Sequence, residues 1–139
     1  MNKKIITIIP TLNENDNIDY LFKTIIKQQK IPILFIDDNS IDGTRDKIIE
    51  LSKKNKMVNF IFRKKRYGIG SAHKEGISWA YKKKFENCVT MDADRTHNPL
   101  EIKSLVKKLR KNKADIIITS RFINKNSLAD WPNYRKYIT

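Results

Sequence analysis

The chain has 139 residues, with 29 Lys and Arg against 15 Asp and Glu for a formal net charge of +14, and its length suits one domain with a real core. One cysteine excludes an internal disulfide, no His/Cys cluster suggests zinc, and no apolar run approaches the roughly 20 residues that span a bilayer. The positive balance would suit nucleic acid, an anionic membrane surface or a phosphorylated ligand. Lys and Ile each occur 22 times, however, which is the bias of an AT-rich coding sequence, and many lysines fall on helix faces open to solvent.

Ile5 to Ile9 reads as a short buried strand, too brief and too soon interrupted by Pro10 for a signal peptide. Ile18, Leu21, Phe22, Ile25 and Ile26 follow with helical spacing. Ile33 to Ile36 predicts a second strand, Thr44 to Lys54 a helix, and Val58 to Phe62 a third strand. Ser71 to Lys84 predicts a helix in which Ala72, Gly76 and Ala80 form a smooth face. Cys88 to Met91 is the fourth predicted strand, with Cys88 expected to be a buried reduced thiol. Asn98, Pro99 and Glu101 then mark a helix start, with Ile102, Leu105, Val106 and Leu109 as its apolar stripe. Ile116 to Thr119 predicts a fifth strand, and the polar, aromatic tail from Asn124 to Thr139 has no clear period. Alternation of helices with apolar strands predicts an α/β fold, a mainly parallel sheet with helices on both faces. No internal repeat, linker or domain boundary interrupts residues 1–139, and the protein is expected to be soluble or peripheral and cytoplasmic.

Ligands of such sheets bind beyond the carboxyl ends of the strands, where five of the fifteen acids are predicted to lie: Asp37, Asp38, Asp42, Asp92 and Asp94. Asp92-Ala93-Asp94 is suited to hold Mg²⁺ or Mn²⁺ together with phosphates of a substrate, although aspartates also cap helices at strand ends. Pro10-Thr11-Leu12-Asn13-Glu14 is either an ordinary turn with a helix cap or one wall of a nucleotide pocket. The carboxylates of Asp37 and Asp38 could accept hydrogen bonds from a base or ribose, Gly43 would supply a permissive turn, and Asp42 or Thr44 would cap the next helix. Arg63-Lys64-Lys65-Arg66 leads into Gly68-Ile69-Gly70 at a helix start, where backbone N–H groups can meet phosphate; the alternative is a solvated basic loop. It is not a dinucleotide fingerprint, since His73 replaces the third glycine.

Taken together, Pro-Thr-Leu-Asn-Glu at 10 to 14, Asp-Asp-Asn-Ser-Ile-Asp-Gly-Thr at 37 to 44, Tyr-Gly-Ile-Gly-Ser-Ala at 67 to 72, Met-Asp-Ala-Asp at 91 to 94 and Thr-Ser-Arg-Phe at 119 to 122 resemble family 2 glycosyltransferases of the GT-A fold. The pattern is similar to dolichol-phosphate mannose synthases and polyprenyl-phosphate sugar transferases. The resemblance implies that Pro10, Asn13, Glu14 and Asp38 hold the nucleotide; Asp37 and Gly70 join them as donor candidates on the residue reading. It implies that Asp92 and Asp94 bind Mg²⁺ or Mn²⁺ at the diphosphate, and that Arg121, Arg135 and Thr139 form an acceptor-phosphate site. Arginine suits that role through its paired, charge-assisted bonds to phosphate oxygens.

The implied activity is inverting transfer of a hexose, with GDP-mannose the favoured donor, to a polyprenyl phosphate. Asp94, Arg121 and Arg135 are the candidate catalytic residues, and peripheral membrane contact is expected. Arg95 and Thr96 depart from the family's usual pattern, bringing a cation next to the expected metal. Family members also continue past the Trp131 to Arg135 region, so a C-terminally truncated form is expected. Alternatives are a UDP-sugar donor, a cell-envelope glycan acceptor or an inactive remnant. A nucleotidyltransferase would use similar carboxylates but attack phosphorus, and a phosphoacceptor switch would need its acid pair after the first strand. No nucleic-acid partner is expected, because no recognition motif accompanies the charge.

Overall fold

A computed structural model describes residues 5–112 and 114–119. By internal contacts the chain divides into two units, Met1–Ser104 and Leu105–Thr139. In chain order the elements are β1 (Ile5–Thr11), α1 (Asn15–Leu21), a π-helical segment (Phe22–Gln29), β2 (Ile33–Asp37), α2 (Thr44–Lys54), β3 (Val58–Phe62), α3 (Ile69–Lys82), β4 (Asn87–Thr90), a 3₁₀ turn (Pro99–Glu101) and α4 (Ile102–Asn112).

The strands form one parallel sheet in the order β3-β2-β1-β4. Every residue of β1 except Pro10, and every residue of β2, is buried, so both faces of the central strands are covered. Residues two apart along a strand share a face. Ile6, Ile8, Leu34 and Ile36 therefore pack together on one side, against Ala72 and Ala80 of α3. Alternate residues, among them Ile9, Ile33 and Phe35, turn to the other layer, where α1, the π-helical segment and α2 bury Ile18, Leu21, Ile25 and Ile48. Gly76 lets α3 come close: a Cβ there would stand 2.5 Å from Ile8 Cγ2 and 2.6 Å from Ile36 Cδ1. The connections through α1 and α2 step from β1 out to β3, and α3 crosses back to set β4 on the far side of β1. A topological switch point thus falls between β1 and β4.

Three expectations need correction. The predicted fifth strand, Ile116 to Thr119, is not a strand, and Ile116 and Ile118 are 78% and 82% exposed. An apolar run forms a strand only where a neighbour takes up its backbone hydrogen bonds, which pattern alone does not guarantee. Cys88 is exposed rather than buried, because β4 is an edge strand of the described sheet and its residues alternate between half-buried and exposed. Partial desolvation still pushes its thiol up from the ordinary value. Finally, the helix expected through Ile18 to Ile26 widens after Leu21 into the π-helical segment. Its i to i+5 bonding brings Leu21 and Ile26, five apart, towards one face.

Candidate functional site

An open cleft of about 350 Å³ lies at the switch point, lined by the end of β1 and its loop (Pro10, Thr11, Leu12, Glu14), by Asp38 after β2, and by Arg66, Gly68, Ile69 and Ala72 around the start of α3. Asp92, Ala93 and Asp94 after β4 complete it. Pro10, Glu14, Asp38, Asp92 and Asp94 are brought together as the sequence reading expects. Asn13, Asp37 and Gly70 are not among the lining residues. Arg121, Arg135 and Thr139 lie outside the described residues.

The β2 end is wired internally. Asp37 is fully buried, and its carboxylate accepts from Thr11 Oγ1 at 3.2 Å, from Ser40 N at 3.0 Å and from the Ser40 hydroxyl, while pairing with Arg45 Nε at 2.5 Å. It is therefore an anchor inside the fold and does not present its oxygens to the cleft. Asn13, at φ 57°, accepts from Ile41 N at 3.0 Å through its side chain and donates its own N–H to Ser40 Oγ at 2.8 Å, tying the β1 loop to the β2 loop. Asp42 accepts from Asn15 N and from the N–H and hydroxyl of Thr44. Desolvation works to raise its carboxyl, but the Thr44 hydroxyl and these N–H groups outweigh it and hold the group below the ordinary Asp value. Gly43, at φ 94°, supplies the turn before α2.

Asp38 belongs to both settings. Its carboxylate accepts from Tyr67 N at 3.1 Å and Gly68 N at 2.8 Å and pairs with Arg63 Nη1 at 3.0 Å, with both side chains over nine-tenths buried. Arg63 also donates to Gly68 O and the Ser71 hydroxyl, and Glu75 stands 3.5 Å from its Nε. Sequence reading gave Arg63 no individual role; the only signal was its place at the head of a four-cation run.

The β4 end is open by contrast. Asp94 accepts from the N–H and hydroxyl of Thr96 at 3.0 and 2.7 Å. Burial works to raise its carboxyl, and the Thr96 donors together with the His97 imidazole outweigh it, leaving Asp94 below the ordinary value. His97 Nδ1 stands 3.0 Å from Asp92 N, within hydrogen-bond reach of that N–H. Arg95, at φ 64°, donates to Asp16 O at 3.1 Å and stacks over Tyr20, 5.0 Å from the ring centroid. Its charge is thus held by α1 rather than offered to the aspartates beside it.

These residues fit a hard divalent cation. Two carboxylates supply oxygen ligands, and no group of three or more His, Cys, Asp or Glu suited to a metal occurs among the described residues. Such a set leaves coordination positions for water and ligand phosphate, as Mg²⁺ and Mn²⁺ prefer.

The family profile described as Glycosyl transferase family 2 matches residues 6–138. A dolichol-phosphate mannosyltransferase of Pyrococcus furiosus is 39% identical over 139 residues, covering 98% of this chain and 38% of that protein. An undecaprenyl-phosphate mannosyltransferase of Micrococcus luteus is 30% identical over 98% of this chain and 56% of its own length. For a polyprenol monophosphomannose synthase of Mycolicibacterium smegmatis the figures are 30%, 94% and 49%. The chain thus spans roughly half or less of the curated relatives it matches. A mannosyltransferase of Pyrobaculum calidifontis, solved in complex with GDP-Man and Mn²⁺, superposes with a TM-score of 0.68 at 20% identity, over 90% of this chain and 38% of that one, and shares its fold. With a parallel sheet, a carboxylate-lined cleft at its switch point and a profile match over nearly its whole length, the chain belongs to glycosyl transferase family 2.

Proposed function

We propose that residues 1–139 form a single nucleotide-sugar-binding domain of a glycosyltransferase that moves mannose from GDP-mannose to a polyprenyl phosphate, with inversion at the anomeric carbon. The observation that carries the reading is the cleft that Asp92 and Asp94 share with Pro10, Glu14 and Asp38. Mannosyl transfer and the lipid class are taken from the names of the relatives.

In this reading Asp92 and Asp94 hold Mn²⁺ or Mg²⁺. Bound there, the ion supplies Lewis-acid stabilisation of the departing diphosphate. Glu14 has one carboxylate oxygen bonded to Asn17 Nδ2, and its other oxygen accepts from the ribose or base. Asp38 fixes the edge of the site through Tyr67 and Gly68, so that the donor meets a pre-set wall. Arg121, Arg135 and Thr139 would orient the acceptor phosphate, whose oxygen is already anionic and needs no protein base. No helix among the described residues is long and apolar enough to cross a membrane, and the proposal places the chain peripherally, at the cytoplasmic membrane face where its lipid acceptor lies.

Calorimetric titration of the purified chain with GDP-mannose and UDP-glucose, each with and without Mn²⁺, tests this. Metal-dependent binding of GDP-mannose is expected, with UDP-glucose weaker. Metal-dependent binding to neither sugar nucleotide overturns the reading.

A further inference from the structure

The basic run Arg63-Lys64-Lys65-Arg66 is used unevenly. Arg63 is buried and taken up by Asp38, Gly68 O, Ser71 and Glu75. Lys64 borders a separate hollow with Tyr67 and Glu75, and the Lys65 amine stands 5.3 Å from the Tyr67 ring centroid. Arg66 alone of the four lines the cleft that contains Asp92 and Asp94. It is exposed, and among the described residues it makes no hydrogen bond or ion pair.

Its placement is not left to a loose loop. The two residues that follow it, Tyr67 and Gly68, donate their N–H groups to the buried Asp38 carboxylate, and Gly68 takes φ 89° to turn into α3. The backbone beside Arg66 is therefore fixed to the sheet at β2, while its side-chain donors have no partner among the described residues.

The charge balance of the cleft gives that cation a task. A divalent ion held by Asp92 and Asp94 would have its formal charge balanced by the two carboxylates, so the negative charge of a nucleoside diphosphate would call for a further cation, the more so as the glycosidic bond breaks. A guanidinium meets such a group with paired, charge-assisted hydrogen bonds, and a cation aimed where charge develops assists departure.

We propose that Arg66 pairs with the diphosphate of the donor and stabilises it as a leaving group, with the Arg63–Asp38 pair positioning the loop that carries it. This rests on the donor reading above and adds to it a residue for the phosphates on a wall other than that of the aspartates.

The test is calorimetric titration of the wild-type chain, Arg66→Ala and Arg66→Lys with GDP and with GMP, each with and without Mn²⁺, alongside thermal melts. Arg66→Ala is expected to weaken GDP by about ten- to a hundredfold and GMP by less than about threefold, as loss of one charge-assisted phosphate contact implies. Its melting temperature should be unchanged, and Arg66→Lys should recover part of the loss. Equal weakening of GDP and GMP, or no weakening of either, overturns the role of Arg66 while leaving the donor reading in place. A wild-type chain that binds neither nucleotide overturns the donor reading and this inference with it.

Discussion

At the end of β2, Asp37 and Asp38 are turned inward and spend their oxygens on Thr11, Ser40, Arg45, Arg63 and the Tyr67–Gly68 backbone. At the end of β4, Asp92 and Asp94 line the cleft; among the described residues Asp94 accepts from Thr96, and the Asp92 carboxylate stands 3.8 Å from His97 Nδ1. Both are paired acids at the carboxyl end of a parallel strand. Burial and partner count separate them: a buried carboxylate must be satisfied by the protein, whereas one at a cleft edge can keep coordination for a ligand. Asp38 lies between the two cases, lining the cleft while holding the loop that carries Arg66.

The sharpest way to break this contrast is Asp94→Ala. It is expected to abolish metal-dependent binding of GDP-mannose while altering folding stability by less than about 0.5 kcal/mol, as for a surface change. Unchanged binding by calorimetry would remove Asp94 from the site. Asp37→Ala should do the reverse. Stranding the partly buried Arg45 and the buried Thr11 and Ser40 hydroxyls should cost about 3 kcal/mol in a urea melt, and a loss below about 1 kcal/mol would show that the β2 network is not an anchor.

Both acidic ends stand on the contact between α3 and the sheet. Gly76→Ala probes it, since the added Cβ would meet Ile8 and Ile36 at 2.5 and 2.6 Å. A loss of about 1–3 kcal/mol is expected from overpacking; an unchanged melt would mean that the helix can move away freely. The smallest effect concerns acid. Because the Asp42 carboxyl is held below its ordinary value in the folded chain, its contribution is full above the normal carboxylate range and is lost as pH falls through the native value. Thermal melts from pH 7 to 3 should therefore show a shallower acid decline for Asp42→Asn than for wild type. Parallel curves would contradict a latch between the starts of α1 and α2.

Local signals made much of this legible. The Gly43 turn and the start of α2 at Thr44 are as read, but Gly43 rather than Asp42 or Thr44 is the N-cap; Asn98 accepts from Leu100 N at 3.0 Å to start the next helical turn, and Val58 to Phe62 forms a strand over the expected residues. Asp37 and Asp38 looked equivalent, because adjacent strand residues differ only in which way they point and what awaits them there. The cation at Arg95 looked like a threat to a metal for a similar reason: its destination over Tyr20 lies 75 positions back in the chain.

The sequence by itself determined the alternation of strands and helices, the parallel sheet, the family and the cluster of acids at strand ends, since these follow from periodicity, caps and short motifs. The tertiary structure decided which acids face the cleft, that Cys88 is exposed, that Ile116 to Thr119 is not a strand among the described residues, and that Arg66 rather than Arg63 lines the cleft. Those outcomes depend on contacts between residues far apart in the chain, and in a folded protein such contacts settle whether a polar group is satisfied from within or left to bind something else.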